Sequence, residues 1–189
     1  MARPLSDLKR EAILDAAARL VAEQGTGAST AQIARAARVA EGTLFIYFEN
    51  KDVLLNAVFE QLETRLSQAL EAAYPADGDG HAQLHHLWHA LIAWGLARPI
   101  DRRALRQLKV SQRIGADTRA RCSALFADVL ARLQAGLAPH VQAERMPFYL
   151  EQVFISLLET TLDAITAEPA QREAYAQAAF ELFWRGIQR

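Results

Sequence analysis

Apolar residues recur through most of this chain at spacings of three and four residues, the period of an amphipathic α-helix. The clearest run extends from residue 51 to about 73 and places these side chains on one stripe: Leu55, Val58, Phe59, Leu62, Leu66 and Leu70. Glycine and proline cluster between such runs, as in the segment 74–80. No run shows the alternation typical of a β-strand, so the pattern predicts an all-α protein.

The breaks in the pattern divide the chain into nine predicted helices. We expect them at 6–23 (with Ser6 as its candidate cap), 30–37, 41–48, 51–73, 81–97, 100–114, 118–137, 147–166 and 172–188. The helix at 147–166 has so wide an apolar arc that we expect it to be covered on two sides.

Residues 29–52 form the segment around which the function is organised. Thr30–Ala37 is a short predicted helix that Ser29 or Thr30 can cap, and Gln32 stands at capping-box spacing from Ser29. Arg38–Ala40 is a bend, and Glu41–Phe48 is a second helix. A helix, a three-residue turn and a helix have the spacing of a helix-turn-helix, whose second helix enters the DNA major groove.

The order of residues in this segment resembles the N-terminal DNA-binding domain of the TetR family of bacterial transcriptional regulators, over about Leu5 to Leu66. The residues that carry the resemblance are Ile33, Ala34, Val39, Gly42, Thr43, Leu44, Phe45, Tyr47, Phe48, Asn50, Lys51, Leu54 and Leu55. The resemblance implies a nine-helix TetR-like fold with a three-helix DNA-binding domain at 1–50 (helix-turn-helix about 29–48). A fourth helix from residue 51 would lead into a ligand-binding and dimerisation domain at 51–189.

The resemblance also implies which residues contact DNA: Thr30, Arg38, Thr43, Phe45, Tyr47 and Lys51. Physical chemistry supports two of them. Lys51 begins a helix that Asn50 can cap, so charge, helix dipole and free N–H groups all favour a phosphate there. Thr43 can bond a phosphate or a base edge. The chain departs from the family pattern in having Arg38 where glycine is usual, and also at Ala40, Glu41 and Phe45.

By the same resemblance, the C-terminal domain holds a small-molecule pocket and a dimer interface. Candidate pocket residues are His85, Trp88, His89, Leu91, Trp94, Gln107, Ser111, Phe126, Tyr149, Phe154 and Leu158. For each of these alone, ordinary core packing is the competing interpretation. Candidate interface residues on the last two helices are Val153, Leu157, Leu162, Tyr175, Ala179, Leu182 and Phe183. Two copies paired through these helices would form a four-helix bundle with two-fold symmetry.

Composition limits the alternatives. The net charge is −1 and the pI about 6.5, so a DNA-binding surface must be basic only locally. A single cysteine, Cys122, excludes an intrachain disulfide and a cysteine zinc site, and fits a reducing cytoplasm. We find neither a run of about 18 apolar residues nor a signal peptide, so we expect a cytoplasmic protein without a membrane partner.

We therefore expect a homodimeric repressor that a small apolar or amphipathic ligand releases from a palindromic double-stranded DNA operator. We expect no cofactor, no bound metal and no catalytic residues. One alternative is a metal-dependent enzyme using His85 and His89, although neither an acid–base partner nor a nucleophile stands at a recognisable spacing. Another is a helical adaptor that keeps the fold without binding DNA. The basic segment 98–121 is either a second nucleic-acid surface or, as we favour, a solvated face with ion pairs.

Overall fold

The computed structural model describes residues 6–188, which contain ten α-helices and no β-strand. The helices are α1 Asp7–Gln24, α2 Thr30–Ala36, α3 Glu41–Tyr47, α4 Lys51–Glu71, α5 Gly80–Ala97, α6 Pro99–Lys109, α7 Ala116–Ala124, α8 Ala127–Leu137, α9 Ile155–Ala167 and α10 Arg172–Ile187. A π-helical segment, Phe148–Phe154, runs directly into α9. The all-α prediction is confirmed.

The described residues form ten helices rather than nine, because the helix predicted at 118–137 is interrupted. Phe126 has φ −104° and ψ 0°, each about 40° from the value of a regular α-helix, and the Leu125 N–H bonds to the Cys122 carbonyl in a tighter 3₁₀ pattern. The helix predicted at 100–114 is also shorter, since α6 ends at Lys109. The Arg119 guanidinium holds the end of α6 by donating to the carbonyls of Lys109 and Ser111.

The chain divides into two compact units. Unit 1 comprises the chain up to Arg65 together with Arg98–Leu125, and unit 2 comprises Leu66–Ala97 together with the chain from Phe126. The segment 98–125 therefore packs with the N-terminal helices, although it follows α5 in sequence. The functional boundary at residue 50 is a different division, and it stays a prediction.

In unit 1, α1 packs along α6 and against α2. The buried stripe of α1 contains several alanines beside Ile13, Leu14 and Val21, and small side chains allow a neighbouring helix to approach closely. Ion pairs lie at the edge of this packed region. The Arg65 guanidinium lies 3.1 Å from an Asp15 carboxylate oxygen and 3.5 Å from one of Asp101.

In unit 2, α5 packs against α8, α9 and α10. The Trp88 side chain is fully buried on α5, and its indole N–H donates to the Ala176 carbonyl on α10 over 2.9 Å. Gly80 at the start of α5 meets Gly136 of α8 backbone to backbone. Of the helices within residues 6–188, none combines the length and the apolar character needed to cross a membrane.

Candidate nucleic-acid interface

The start of α2 is fixed by a capping box. The Ser29 hydroxyl accepts from the Gln32 backbone N–H over 3.2 Å, and the Gln32 side-chain oxygen accepts from the Ser29 N–H over 2.8 Å. Both bonds satisfy N–H groups that a helix N-terminus leaves without a partner. The predicted cap is confirmed. The Ser6 side chain, in contrast, makes no capping bond to α1, whereas its backbone N–H donates to the Tyr47 hydroxyl over 2.9 Å.

The turn after α2 is a tight helix C-terminus built around Arg38. The Arg38 N–H bonds to the Arg35 carbonyl over 3.1 Å, and the Val39 N–H bonds to the Ala34 carbonyl over 3.0 Å. These two bonds define a Schellman motif, which requires a left-handed residue at Arg38. Its φ is +56°, which explains why glycine is the usual residue here and leaves the Arg38 side chain exposed.

A side-chain hydrogen bond links the starts of the two short helices. The Thr30 hydroxyl donates to a Glu41 carboxylate oxygen over 2.7 Å. Glu41 stands in the first turn of α3, where the helix dipole favours a carboxylate. The pair gives Glu41 a structural role that the sequence did not reveal. It also commits the Thr30 hydroxyl hydrogen, so that hydroxyl can donate to a phosphate only after releasing Glu41.

The residues of α3 divide between the core and the solvent. Leu44 and, just after the helix, Phe48 are buried, whereas Phe45 and Ile46 are 43% and 66% exposed. Thr43 is half-buried and reaches the surface. Ile46 was missed by the sequence reasoning, although a residue two positions after the buried Leu44 is expected on the opposite side of a helix.

Tyr47 is held in place within unit 1. Its hydroxyl oxygen accepts from the Ser6 N–H, which ties the end of α3 to the start of α1. The hydroxyl hydrogen is not used in that bond and remains able to donate to a phosphate. Tyr47 therefore has a structural role, and its contact with DNA stays a prediction.

The N-terminus of α4 adds a cation beside α3. The Asn50 side chain accepts from the Val53 N–H over 2.9 Å, which confirms the predicted cap. Partial burial and, second, the nearby Arg113 guanidinium lower the pKa of Lys51, while Asp52 raises it. Arg113 pairs with Asp52 at 2.7 Å. An anion placed against Lys51 would raise this pKa again, because an opposite charge favours the ammonium form.

The basic segment 98–121 is a face with ion pairs, as the sequence analysis favours. Arg98 pairs with Asp101 at 3.3 Å, Lys109 with the buried Glu63 at 3.4 Å, and Arg121 with Glu60. Burial raises the pKa of Glu63, and Lys109 partly counteracts that rise. Together with the Arg113–Asp52 pair, these contacts engage four of the eight cations in the segment.

The candidate pocket residues do not all belong to one unit. Gln107 and Ser111 lie in unit 1, whereas the other nine lie in unit 2. Four of those nine are packed in the core of unit 2: Trp88, Trp94, Phe154 and Leu158. Trp88 contacts Phe154 edge to face at 5.3 Å, so this pair is core in the described structure. Leu91 and Tyr149 are half-buried, as is Phe126.

Two polar atoms among the candidate pocket residues are buried and have no hydrogen-bond partner within residues 6–188. They are Nε1 of Trp94 and Nε2 of His89. An unmet buried N–H is costly, and a polar group of a bound molecule would satisfy it.

The histidines of α5 form a row on the surface of unit 2. The ring centroids of His85 and His89 are 4.3 Å apart, and those of His81 and His85 are 6.1 Å apart. They line an open depression of about 580 Å³. Within residues 6–188, no three His, Cys, Asp or Glu side chains converge on a possible metal position.

Burial raises the pKa of the Cys122 thiol to about 11, which disfavours a reactive thiolate.

The candidate interface residues divide into exposed and buried groups. Leu182 is 68% exposed, and Val153, Leu157, Tyr175 and Ala179 are half-buried. Leu162 and Phe183 are only 1% and 3% exposed within the single chain. Those two residues fill the core of unit 2, because they lie on the inner faces of α9 and α10, and they are removed from the proposed interface.

Residues 13–58 match the sequence model of the bacterial regulatory proteins of the tetR family. This range holds the buried stripe of α1, the capping box, the Arg38 turn, α3 and the start of α4. Over these residues this chain is similar to the TetR family. The chain is also similar to an HTH-type transcriptional repressor of Mycobacterium tuberculosis, with 42% identity over 67 residues. That match covers 35% of this chain and only 36% of the relative.

Solved structures extend the similarity to the whole TetR-type fold. A putative tetR family regulator from Shewanella has 25% identity and a TM-score of 0.83, covering 96% of this chain and 98% of that one. A TetR family regulator from Marinobacter aquaeolei has 26% identity and a TM-score of 0.80, covering 97% of each chain. These relatives are regulators rather than enzymes, in agreement with the expectation from the sequence.

Two more distant structures share the fold and contain ligands. The regulator LfrR from Mycobacterium smegmatis, in complex with proflavine, has 20% identity and a TM-score of 0.69, covering 97% of this chain and 99% of that one. FadR from Bacillus subtilis, in complex with stearoyl-CoA, has 18% identity and a TM-score of 0.70, covering 94% of this chain and 99% of that one. At this identity the likeness concerns the fold alone.

Proposed function

We propose that this chain is a homodimeric repressor of the TetR family that binds a palindromic DNA operator in the cytoplasm and is released by a small apolar or amphipathic ligand. The observation that carries the proposal is the formed helix-turn-helix of unit 1, with its capping box, Schellman turn and capped α4. Lys51 and Arg38 stand on either side of α3 in the chain, so cations flank the helix that would enter the major groove. Thr30, Thr43, Phe45 and Tyr47 complete the proposed contact set.

The dimer part of the proposal rests on apolar surface that a single chain leaves exposed. Leu182, Phe148 and Ile155 are 68%, 57% and 43% exposed on α10, on the π-helical segment and on α9. Val153 and Leu157 line a shallow groove on the same face as Phe148. A second copy that covers this surface by two-fold symmetry would create two DNA-binding units and require a palindromic operator.

The effector part rests on unit 2. The unmet N–H of Trp94 offers a polar anchor among apolar side chains, which is the usual composition of a small-molecule site. The bound proflavine and stearoyl-CoA of the two distant structures show that both an aromatic molecule and an acyl chain occur with this fold. The helix α4 begins at Lys51 in unit 1 and ends in unit 2, so it can transmit a change between effector and DNA sites. A ligand releases DNA only as far as it favours the conformation that binds DNA weakly.

Fluorescence anisotropy with duplex DNA tests the proposal. Duplexes selected by the wild-type protein from a random-sequence pool should bind tightly at low salt and progressively less as salt rises. Lys51→Ala should weaken binding to every duplex alike. It should also reduce the slope of log binding constant against log salt concentration by about 0.9 per lost phosphate contact. Thr43→Ala should instead reduce the difference in affinity between selected and random duplexes.

The matched control is Arg103→Ala, which removes one positive charge from an exposed site on α6 outside the helix-turn-helix. It should leave both the affinity and the salt dependence nearly unchanged. A wild-type protein that enriches no sequence and binds no duplex at low salt would support the adaptor interpretation instead. If Thr43→Ala and Lys51→Ala had equal effects, the assignment of base reading to Thr43 and phosphate binding to Lys51 would be wrong.

Effector release is tested with proflavine and stearoyl-CoA as two amphipathic probes. A probe that raises the melting temperature of the protein should also lower its affinity for the selected duplex. Binding without any change in DNA affinity would contradict release by that class of ligand, because thermodynamic coupling between the two sites is reciprocal.

A further inference from the structure

The recognition helix α3 lacks the side chains that usually read base pairs. Its sequence from Glu41 to Tyr47 contains no Arg, Lys, His, Asn or Gln. Those five residue types supply most donor groups for base edges, including the bidentate contacts of Arg and Lys with guanine and of Asn and Gln with adenine. Base reading by α3 must therefore use other chemistry.

The solvent side of α3 is apolar instead. Ile46 is 66% exposed and Phe45 is 43% exposed, although the opposite side of the same helix already supplies Leu44 to the core. The isoleucine side chain is aliphatic and cannot bond a phosphate. A large aliphatic group on the solvent side of a surface helix gains most from a partner that is also apolar.

The charges around this apolar face select the kind of partner. Arg35 and Arg38 are exposed before α3, and Lys51 follows it at the capped start of α4. Between residues 35 and 51 these three cations exceed the two carboxylates, Glu41 and Glu49, so the stretch favours a polyanion that also presents apolar groups. The major groove of DNA presents one apolar group on its base pairs, the 5-methyl of thymine.

We propose that Ile46, assisted by Phe45, reads thymine 5-methyl groups, so that the position of thymines defines the preferred half-site. This inference rests on the proposed DNA binding and specifies how the site is read. Thr43 contributes a hydroxyl and a methyl group beside Ile46, and the phosphate contacts of Lys51 set the register without reading sequence.

Removal of single methyl groups from the DNA tests the proposal. In a duplex selected by the wild-type protein, each thymine is replaced in turn by deoxyuridine, which keeps its pairing and loses only the 5-methyl. At one or two positions per half-site, we expect the wild-type affinity to fall about fourfold, the equivalent of one buried methyl. Ile46→Ala should bind the thymine and deoxyuridine duplexes equally at the same positions.

The control variant is Val110→Ala, which shortens another highly exposed aliphatic side chain of unit 1, at the end of α6. It should keep both the wild-type affinity and the preference for thymine over deoxyuridine. Circular dichroism and melting temperatures confirm that all variants are folded.

The outcomes separate this inference from the proposed function. A wild-type protein that binds the selected duplex but is indifferent to every deoxyuridine overturns methyl reading alone. An Ile46→Ala variant that still distinguishes thymine from deoxyuridine as the wild type does assigns the reading to another residue and also overturns it. Failure of the wild type to bind any duplex overturns the proposed function itself.

Discussion

Arg38 holds a backbone conformation that costs an arginine more than a glycine. Its φ of +56° brings its Cβ close to the backbone, at a cost of about 1 kcal/mol. Arg38→Gly should therefore raise the free energy of unfolding, by up to about 1 kcal/mol, as measured by urea denaturation. The same change removes an exposed cation beside α3, so it should weaken binding to duplex DNA.

Arg38→Gln separates these two effects. It loses the same charge but keeps a side chain in the left-handed conformation, so it should weaken DNA binding without gaining stability. A stable Arg38→Gly protein with wild-type DNA affinity would remove Arg38 from the contact set.

His85 makes the stability of the protein dependent on pH. Burial lowers the pKa of His85 first, followed by the neighbouring His89 and His81, with a smaller effect of His86; only Glu173 on α10 raises it. The ring also packs edge to face against the uncharged Phe180. Because the pKa is lower in the folded state, the unfolded chain binds more protons below pH 6.5.

Stability should therefore be constant above the ordinary pKa of 6.5 and fall as the pH is lowered from there to the pKa of the folded state. Thermal melts between pH 8 and pH 5 measure this fall. In His85→Gln the fall should be smaller, whereas His140→Gln, which alters a ring packed on Trp184, should keep it. A full wild-type fall in His85→Gln would assign the effect to other groups.

At the scale of elements, the contact between α5 and α8 depends on two glycines. A Cβ on Gly80 would overlap the carbonyl of Gly136, and a Cβ on Gly136 would stand 2.9 Å from the Gly80 Cα. Both obstacles are backbone, which cannot rotate away. Gly80→Ala should lower the free energy of unfolding by about 1–3 kcal/mol, as measured by chemical denaturation.

Gly186 provides the opposite case within the same unit. It lies near the end of α10, and a Cβ there would meet nothing within 4 Å. Gly186→Ala should therefore be neutral or stabilising by up to about 1 kcal/mol, because alanine favours the helix. Equal effects of the two substitutions would contradict close packing of α5 on α8.

At the scale of the whole molecule, the proposed dimer depends on apolar surface around Leu182. Leu182→Arg would place a charge in that interface, so the protein should sediment as a monomer and lose affinity for a palindromic duplex more than for a half-site. Leu130→Arg alters another exposed leucine, on α8 outside the proposed interface, and should remain dimeric. A dimeric Leu182→Arg protein would move the interface elsewhere.

The sequence by itself determined the helical fold, most helix boundaries and the two caps at Ser29 and Asn50. These features depend on neighbours within four residues, so periodicity and local hydrogen bonding suffice to predict them. The resemblance carried by residues such as Thr43 and Lys51 likewise indicated the family, because the helix-turn-helix is a local motif.

Only the tertiary structure decided which apolar faces are covered. Leu162, Leu182 and Phe183 all belong to apolar helical patterns in the sequence. Leu182 is exposed, whereas Leu162 and Phe183 are buried because neighbouring helices lie against them. The pairing of Thr30 with Glu41, the Ser6–Tyr47 bond and the grouping of 98–125 with the N-terminal helices join residues distant in sequence. Such contacts depend on packing directions that a pattern along one chain does not encode.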